Sequence, residues 1–116
     1  MRGAAVMIAG VVAAGTAAGQ SGGGAALFQD RCAMCHSGDP MSQGPPLAGV
    51  VGRRAGAVPG FAYSAALKNS GIVWTRTSLD RFLADPGKAA PGTAMPVRVA
   101  DPAARAAIIG YLAAGK

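Results

Sequence analysis

The chain has 116 residues, 51% of them hydrophobic, a length that allows one domain with a modest core. Lys and Arg number 11 against five Asp and no Glu, giving a formal net charge of +6, but the cations are scattered and Arg53-Arg54 is their only adjacent pair. Nucleic-acid-binding proteins cluster their basic residues, so this pattern argues against a nucleic-acid partner. It fits an acidic protein or membrane partner at least as well, although dispersed charge most commonly serves only to keep a surface solvated.

Residues 1–19 have the pattern of an export signal, in which Arg2 precedes a short apolar run that ends in small residues. We expect cleavage near Gly19, after which residues 20–23 form a flexible leader and residues 24–116 form the domain. An uncleaved membrane anchor is the alternative. A spanning helix, however, needs about 20 apolar residues, and this stretch is shorter and rich in glycine.

Two helices are predicted in the first half of the domain. The first covers residues 24–35, because position 24, Phe28 and Cys32 recur every four residues on one face. The second is short, begins after Ser64 as N-cap and stops at Gly71.

Two further helices are predicted in the second half. The third takes Thr77 as N-cap, with Asp80 three residues later as in a capping box, and must end before Pro86. The fourth follows Asp101 as N-cap, has proline at its first position and runs to Gly115.

Long Gly/Pro-rich segments at residues 37–63 and 86–100 show neither helical periodicity nor strand alternation. Loops of this length are unusual in a compact domain, and four short helices enclose little core. The sequence therefore predicts an all-α domain whose loops lie against a large apolar group.

Both cysteines and the only histidine fall within Cys32-Ala33-Met34-Cys35-His36. A structural zinc site needs four ligands, a thioredoxin-like pair is expected near a βαβ unit, and a disulfide across two residues constrains little. Each of these interpretations leaves His36 without a role. Cys-x-x-Cys-His is the attachment signature of a c-type haem, in which the two thiols form thioethers and the histidine binds iron. Such a haem would also supply the missing core.

The sixth position of the iron is left to a methionine or stays open, because the sequence has no second histidine. Met34 lies between the attachment cysteines, and Met41 is only five residues past His36, so at about 3.3–3.6 Å per residue it could barely round the ring. Met95 lies in a late, proline-bounded loop that can cover the opposite face, and it is the favoured ligand.

Several segments occur in a specific order: CAMCH, GPPLAGVVGR, PGFAYSAALKNSGIVW, LDRFLADP, PGTAM and IIGYL. In this order, over about residues 24–112, the chain resembles the class I soluble cytochromes c of the mitochondrial and bacterial short-chain group. The resemblance implies an all-α fold in which four short helices and long loops wrap one haem c, attached through Cys32 and Cys35.

The resemblance also implies roles for further residues. The carbonyl of Pro45 would accept a hydrogen bond from His36, and Thr93 would lie beside Met95. Three donors, Arg53, Tyr63 and Trp74, would approach the haem propionates. Apolar residues expected to line the ring are Leu47, Val50, Leu79 and Leu83, and those expected where the first and last helices cross are Gly24, Phe28, Ile108 and Tyr111.

The chain departs from the family pattern at the distal pocket and at the haem edge. Two pocket positions that are usually Asn and Tyr are Leu67 and Phe82. Of the usual lysine-rich rim, Arg31 and Lys88 are the matching cations.

The function implied is that of a monomeric periplasmic one-electron carrier that is not an enzyme. Its partners would be redox proteins with acidic docking surfaces, with membrane association only if the signal is uncleaved. The alternatives are a membrane-anchored haem subunit of a larger oxidoreductase complex and a peroxidase-like or gas-binding haem protein with a labile Met95.

Overall fold

The computed structural model describes residues 16–115 together with Gly3 and Gly10. This part of the chain contains five helices: α1 (Thr16–Arg31), α2 (Ala65–Lys68), α3 (Arg76–Ala84), α4 (Pro86–Ala89) and α5 (Pro102–Ala113). Its only β-type pairing is an isolated antiparallel bridge between Arg54 and Val73. The predicted all-α class is confirmed. None of the helices in the described ranges has the length and apolar character needed to cross a membrane.

The N-terminal boundary of α1 differs from the prediction. The proposed export signal, residues 1–19, lies mostly outside the described residues and stays a prediction. Residues 20–23, expected as a flexible leader, are helical here, because α1 begins at Thr16. Adding residues to an existing helix costs much less than nucleating one, so the helix formed beyond position 24 extends back through the glycines.

The predicted end of the first helix at Cys35 was wrong, because α1 ends at Arg31. The amides of Cys32 and Ala33 both donate to the carbonyl of Phe28, at 2.8 and 2.9 Å. This sharing interrupts the regular ladder of helical hydrogen bonds. The two cysteines therefore lie on a separate turn, and the hydrogen bonds at the end of α1 set the direction of this turn.

The predicted start of the third helix was also wrong, because its N-cap is Thr75 rather than Thr77. The hydroxyl of Thr75 accepts from the amide of Ser78 (3.1 Å), and the hydroxyl of Ser78 accepts from the amide of Thr75 (2.8 Å), which closes a capping box. The carboxylate expected to cap the later start, Asp80, instead accepts a hydrogen bond from Arg105 of α5 (2.7 Å).

A short helix, α4, occupies part of a segment that was predicted as loop. Asp85 both ends α3 and accepts a hydrogen bond from the amide of Lys88 (3.2 Å), with Pro86 at the first helical position. The same Asp-Pro pair begins α5 at Asp101, so the sequence carried this signal twice. The long loop that bears Met95 is therefore shorter than predicted.

The predictions for α2 and α5 are confirmed in their capping residues. The hydroxyl of Ser64 accepts from the amide of Leu67 (3.2 Å), and the carboxylate of Asp101 accepts from the amide of Ala103 (3.1 Å). Helix α2 ends at Lys68 and α5 ends at Ala113, each close to the predicted end.

Helices α1 and α5 cross at a position that requires glycine. A Cβ atom at Gly24 would lie 3.0 Å from Cβ of Tyr111 and closer still to the backbone of Ala107. One turn further along, the rings of Phe28 and Tyr111 pack with centroids 5.2 Å apart. The expected packing of Gly24 and Phe28 against α5 is confirmed, and the backbone of Ala107 is the nearest neighbour of Gly24.

The buried apolar side chains surround a central space rather than filling it. Among the residues whose burial the structure describes, the most deeply buried side chains are only Ile108, Val99 and Val50, at 0–2% exposed. Helix α3 packs against α5 on one side of this space, and the loop that follows the cysteine turn closes another. The fold thus places its hydrophobic surface around a cavity.

Candidate haem site

The cavity measures about 1340 Å³, counted with its open mouth. Its wall is built from residues of the cysteine turn, the loops and the helices α3 and α5, and it is predominantly apolar, as cofactor sites commonly are. All four apolar residues expected to line the ring, Leu47, Val50, Leu79 and Leu83, are in its wall, and they are joined there by Phe82, Ile108 and Leu112. An apolar space lined from so many parts of the chain suits a flat apolar macrocycle.

The cysteine turn forms one edge of the cavity. Cys32 and Cys35 are both free thiols, and both line the space. The amides of Cys35 and His36 both donate to the carbonyl of Cys32, at 3.1 and 2.9 Å, which holds the turn closed. Burial raises the pKa of the Cys32 thiol, although the neighbouring Arg31 opposes this shift. This turn offers two thiols to one side of a bound group.

The imidazole of His36 has one nitrogen engaged and one available. Its Nδ1 donates to the carbonyl oxygen of Pro45 at 2.8 Å, in the contact that the resemblance implied. In the neutral imidazole, a proton on Nδ1 leaves Nε2 as the nitrogen that can bind a metal, and the hydrogen bond to the carbonyl fixes the orientation of the ring. Gly44 lies directly against the ring and admits no side chain there.

Met95 lines the same cavity and is half-buried. Its amide donates to the hydroxyl of Thr93 at 3.4 Å, and Thr93 is also in the wall. Met34 and Met41 are 90% and 91% exposed, and neither lines the cavity. Of the methionines that the structure describes, Met95 alone offers a sulfur to the space.

The three donors expected at the propionates all lie in the cavity wall. Arg53 donates to the carbonyls of Pro46 (2.7 Å) and Ala48 (3.2 Å), and the other N–H groups of its guanidinium remain for a further acceptor. The hydroxyl of Tyr63 accepts from a backbone amide at 3.0 Å, so its own proton is free to be donated. Trp74 is buried, with its ring edge-on to Phe82.

The sequence analysis gave no role to several residues of the site, of which Arg54 and Gly44 are two. Arg54 also lines the cavity, and its place beside Arg53 in the only basic pair was a signal that it lies near the same site. Gly44 was quoted in the GPPLAG segment without a role. Its contact with His36 depends on how the loop folds back, and nothing in the local sequence indicates that contact.

The donor set fits haem rather than a bare metal ion. Among residues 16–115, no group of three or more His, Cys, Asp or Glu side chains could hold an ion. Two thiols, one imidazole and one thioether around an apolar cavity are instead the groups that attach and ligate a c-type haem.

Comparison with known proteins agrees with this site. The family model described as Cytochrome c matches residues 22–116. Cytochrome c2 of Rhodomicrobium vannielii is 42% identical over 101 residues, which cover 84% of this chain and 80% of that protein. Cytochrome c type-1 of Ascaris suum is 50% identical over 74 residues, 62% of this chain and 66% of that protein.

Solved structures show the same fold. Cytochrome cH from Methylobacterium extorquens superimposes with a TM-score of 0.75 at 41% identity, covering 81% of this chain and 97% of that one. Ferricytochrome c2 from Rhodopseudomonas palustris gives a TM-score of 0.75 at 36% identity, with 83% and 98% coverage. Fold and site define a class I soluble cytochrome c, and the chain belongs to the cytochrome c family. Members of this family carry electrons on a haem c attached through a cysteine pair, which here is Cys32 and Cys35.

Proposed function

We propose that this cytochrome is an exported, periplasmic, monomeric one-electron carrier in which His36 and Met95 are the two axial ligands of the haem iron. The observation that carries the proposal is that both side chains line one cavity, while Nδ1 of His36 is already bonded to Pro45. With both axial positions filled by protein, no position stays open for oxygen or peroxide, so the site favours electron transfer over catalysis.

When bound, the haem supplies the electron-accepting centre, and the chain's own residues set its properties. Pro45 orients the imidazole of His36 and makes it a stronger ligand. We assign Arg53, Tyr63 and Trp74 to the propionates, because each lines the cavity and has N–H or O–H groups to donate. The hydroxyl of Thr93 accepts a hydrogen bond from the backbone amide of Met95, which restricts the conformation of the chain at the methionine.

Export is proposed from the signal pattern of residues 1–19 and from the bacterial cytochromes among the relatives. N-terminal sequencing of the protein recovered from a bacterial host tests it. A mature chain that begins near residue 20 in the periplasmic fraction supports export with cleavage. An intact Met1 in the membrane fraction would favour the anchored haem subunit instead.

We further propose that the redox partner presents an acidic surface to a basic groove near the Met95 segment. Three cations, Arg81, Lys88 and Arg98, line this groove with one carboxylate, Asp85, and none of the four forms an ion pair with another described residue. Groove and cavity share one stretch of chain, because Val97 lines the cavity and Arg98, the next residue, lines the groove. Carboxylates of a partner held at the groove would therefore lie beside the segment that bears Met95.

The axial ligation is tested by optical spectra of the haem-loaded protein. The ferric protein should show the weak absorption band at the red edge of the spectrum that arises from methionine sulfur on iron. Met95→Ala should remove this band, whereas Met41→Ala, whose side chain is 91% exposed, should retain it. Carbon monoxide binding to the reduced wild-type protein at neutral pH would instead indicate an open or labile site.

A further inference from the structure

The segment that bears Met95 is fastened to the body of the protein on both sides. Before it, the amide of Thr93 donates to the carbonyl of Ala90 (2.9 Å), a residue that is only 3% exposed. After it, Val99 is 1% exposed and its amide donates to the carbonyl of Leu83 in α3 (2.8 Å). Between these points, no backbone group of residues 96–98 bonds to another described residue, and the one hydrogen bond is from Nε of Arg98 to the carbonyl of Ala84 (3.2 Å, exposed). The position of Met95 therefore depends mainly on the buried anchor at Val99.

Arg105 of α5 fastens the Val99 end with three hydrogen bonds. Its Nη1 donates to the carbonyls of Val99 (2.9 Å) and Ala100 (3.0 Å), and its Nε donates to the carboxylate of Asp80 in α3 (2.7 Å). The Arg105 side chain is 12% exposed, and the pair with Asp80 is the only ion pair in the part of the chain that the structure describes. Arg105 thus ties α3, α5 and the end of the Met95 segment to one another.

We propose that Arg105 is a positioning residue for Met95, which sets how readily the methionine leaves the cavity wall. The inference rests on the proposed function, in which Met95 is an iron ligand. The three hydrogen bonds stabilise the segment in the conformation that places Met95 in the cavity. An equilibrium between two conformations shifts by the interactions that only one of them makes. Loss of the guanidinium therefore shifts the segment towards conformations in which Met95 is displaced.

The arrangement requires a guanidinium rather than any cation. Arginine carries five N–H donors in a rigid plane, so one side chain reaches two carbonyls and a carboxylate that lie in different directions. A lysine at position 105 has three N–H donors, but all of them are on one terminal nitrogen, which cannot reach the positions that both Nε and Nη1 of Arg105 occupy. Displacement of Met95 should therefore increase in the order arginine, lysine, glutamine.

The test measures competition for ferric iron by added imidazole, at fixed neutral pH, followed by loss of the red-edge band. We expect Arg105→Gln to bind imidazole about tenfold more tightly than wild type, which corresponds to ~1.4 kcal/mol. Arg105→Lys should lie between the two, and Asp80→Asn, which keeps an acceptor for Nε, should change least. The reduction potential should fall from wild type through Arg105→Lys to Arg105→Gln, because methionine ligation raises the potential.

Ile109→Val is the matched control, because Ile109 is on the same helix and 4% exposed but does not line the cavity. It should lower the denaturant midpoint and leave imidazole affinity unchanged. Wild-type affinity in Arg105→Gln, or an equal rise in Ile109→Val, would overturn the proposal. If Arg105→Gln takes up no haem, Arg105→Lys replaces it in the test. A wild-type imidazole affinity in Arg105→Lys would then overturn the proposal. Absence of the red-edge band from the wild type would instead refute the Met95 ligation itself.

Discussion

The ring of His36 packs so closely on the backbone of Gly44 that a Cβ atom there would lie within 2.9 Å of Nε2 and nearer still to Nδ1. The amide of Gly44 donates to the carbonyl of Cys35 at 2.6 Å, and the next residue, Pro45, accepts from Nδ1. The cysteine turn, the imidazole and this loop therefore form one unit that fixes the orientation of the ring.

Gly44→Ala should weaken that unit, because the new methyl group displaces the imidazole and breaks its hydrogen bond to Pro45. We expect a loss of stability of about 1–3 kcal/mol, as for other overpacked sites, together with a higher reduction potential, because a weaker imidazole ligand stabilises ferric iron less. Gly110→Ala is the control, since a Cβ at Gly110 meets nothing within 4 Å and alanine favours the helix. Guanidinium unfolding and redox titration measure both effects, and equal stability of the two variants would contradict the prediction.

Gly24→Ala should separate α1 from α5, because its methyl group would meet the backbone of Ala107, which cannot rotate away. The expected loss is about 1–3 kcal/mol, measured by denaturant unfolding of the haem-loaded protein. Gly23→Ala lies one residue earlier, where a Cβ meets nothing, and should stabilise the helix slightly. The prediction fails if both variants unfold at the same denaturant concentration.

The double variant Cys32→Ala, Cys35→Ala should not form a compact domain. Without the attached group the cavity wall has nothing apolar to bury against, and the long loops cannot offset a chain entropy of about 1–2 kcal/mol per residue. Far-UV circular dichroism and size-exclusion chromatography measure the outcome. Met34→Ala alters the same turn at a side chain that is 90% exposed, and it should fold normally. A compact helical double variant would show that the chain carries its own core.

Phe82→Tyr should raise the reduction potential. Phe82 is 6% exposed, lines the cavity and packs edge-on against Trp74. By the family resemblance, a tyrosine hydroxyl at this position lies near the methionine sulfur, where it draws electron density and favours ferrous iron. A neutral hydrogen bond contributes about 0.5–1.5 kcal/mol, which for one electron bounds the shift at roughly 20–60 mV. A potential that falls in redox titration would mean that solvation of the pocket dominates.

Electron transfer to an acidic partner should slow as salt is added, because attraction between the groove and the partner is screened over about 10 Å at 0.1 M. Arg81→Gln and Lys88→Gln should each lower the second-order rate at low salt and flatten its salt dependence. Arg76→Gln removes an exposed charge from α3, the helix of Arg81, but outside the groove. It should therefore change the rate and its salt dependence less. Stopped-flow kinetics measure the rates, and equal effects of the three variants would mean that only net charge matters.

The sequence alone determined the chemistry of the site and the class of fold. Cys32, Cys35 and His36 are adjacent in the chain, so the attachment motif is complete before folding. The capping residues Ser64 and Asp101 act on amides two or three residues away, and both helix starts were predicted correctly. The need for a large apolar cofactor followed from long loops around few helices. All of these features depend on local spacing or composition, which a sequence displays directly.

The tertiary structure decided which of several locally acceptable arrangements the chain adopts. Asp80, which the sequence analysis assigned to a capping box with Thr77, instead pairs with Arg105 from a distant helix, and α3 starts after Thr75. Likewise, Gly44 is required only because the loop returns it to His36. Each of these contacts joins residues whose separation in space is set by the packing of whole elements around the cavity. The physical reason is that the hydrogen bonds of a helix cap or a turn form between residues within one helical turn of each other. An ion pair between distant helices, or a close approach of a loop to a ring, forms only once the elements have packed.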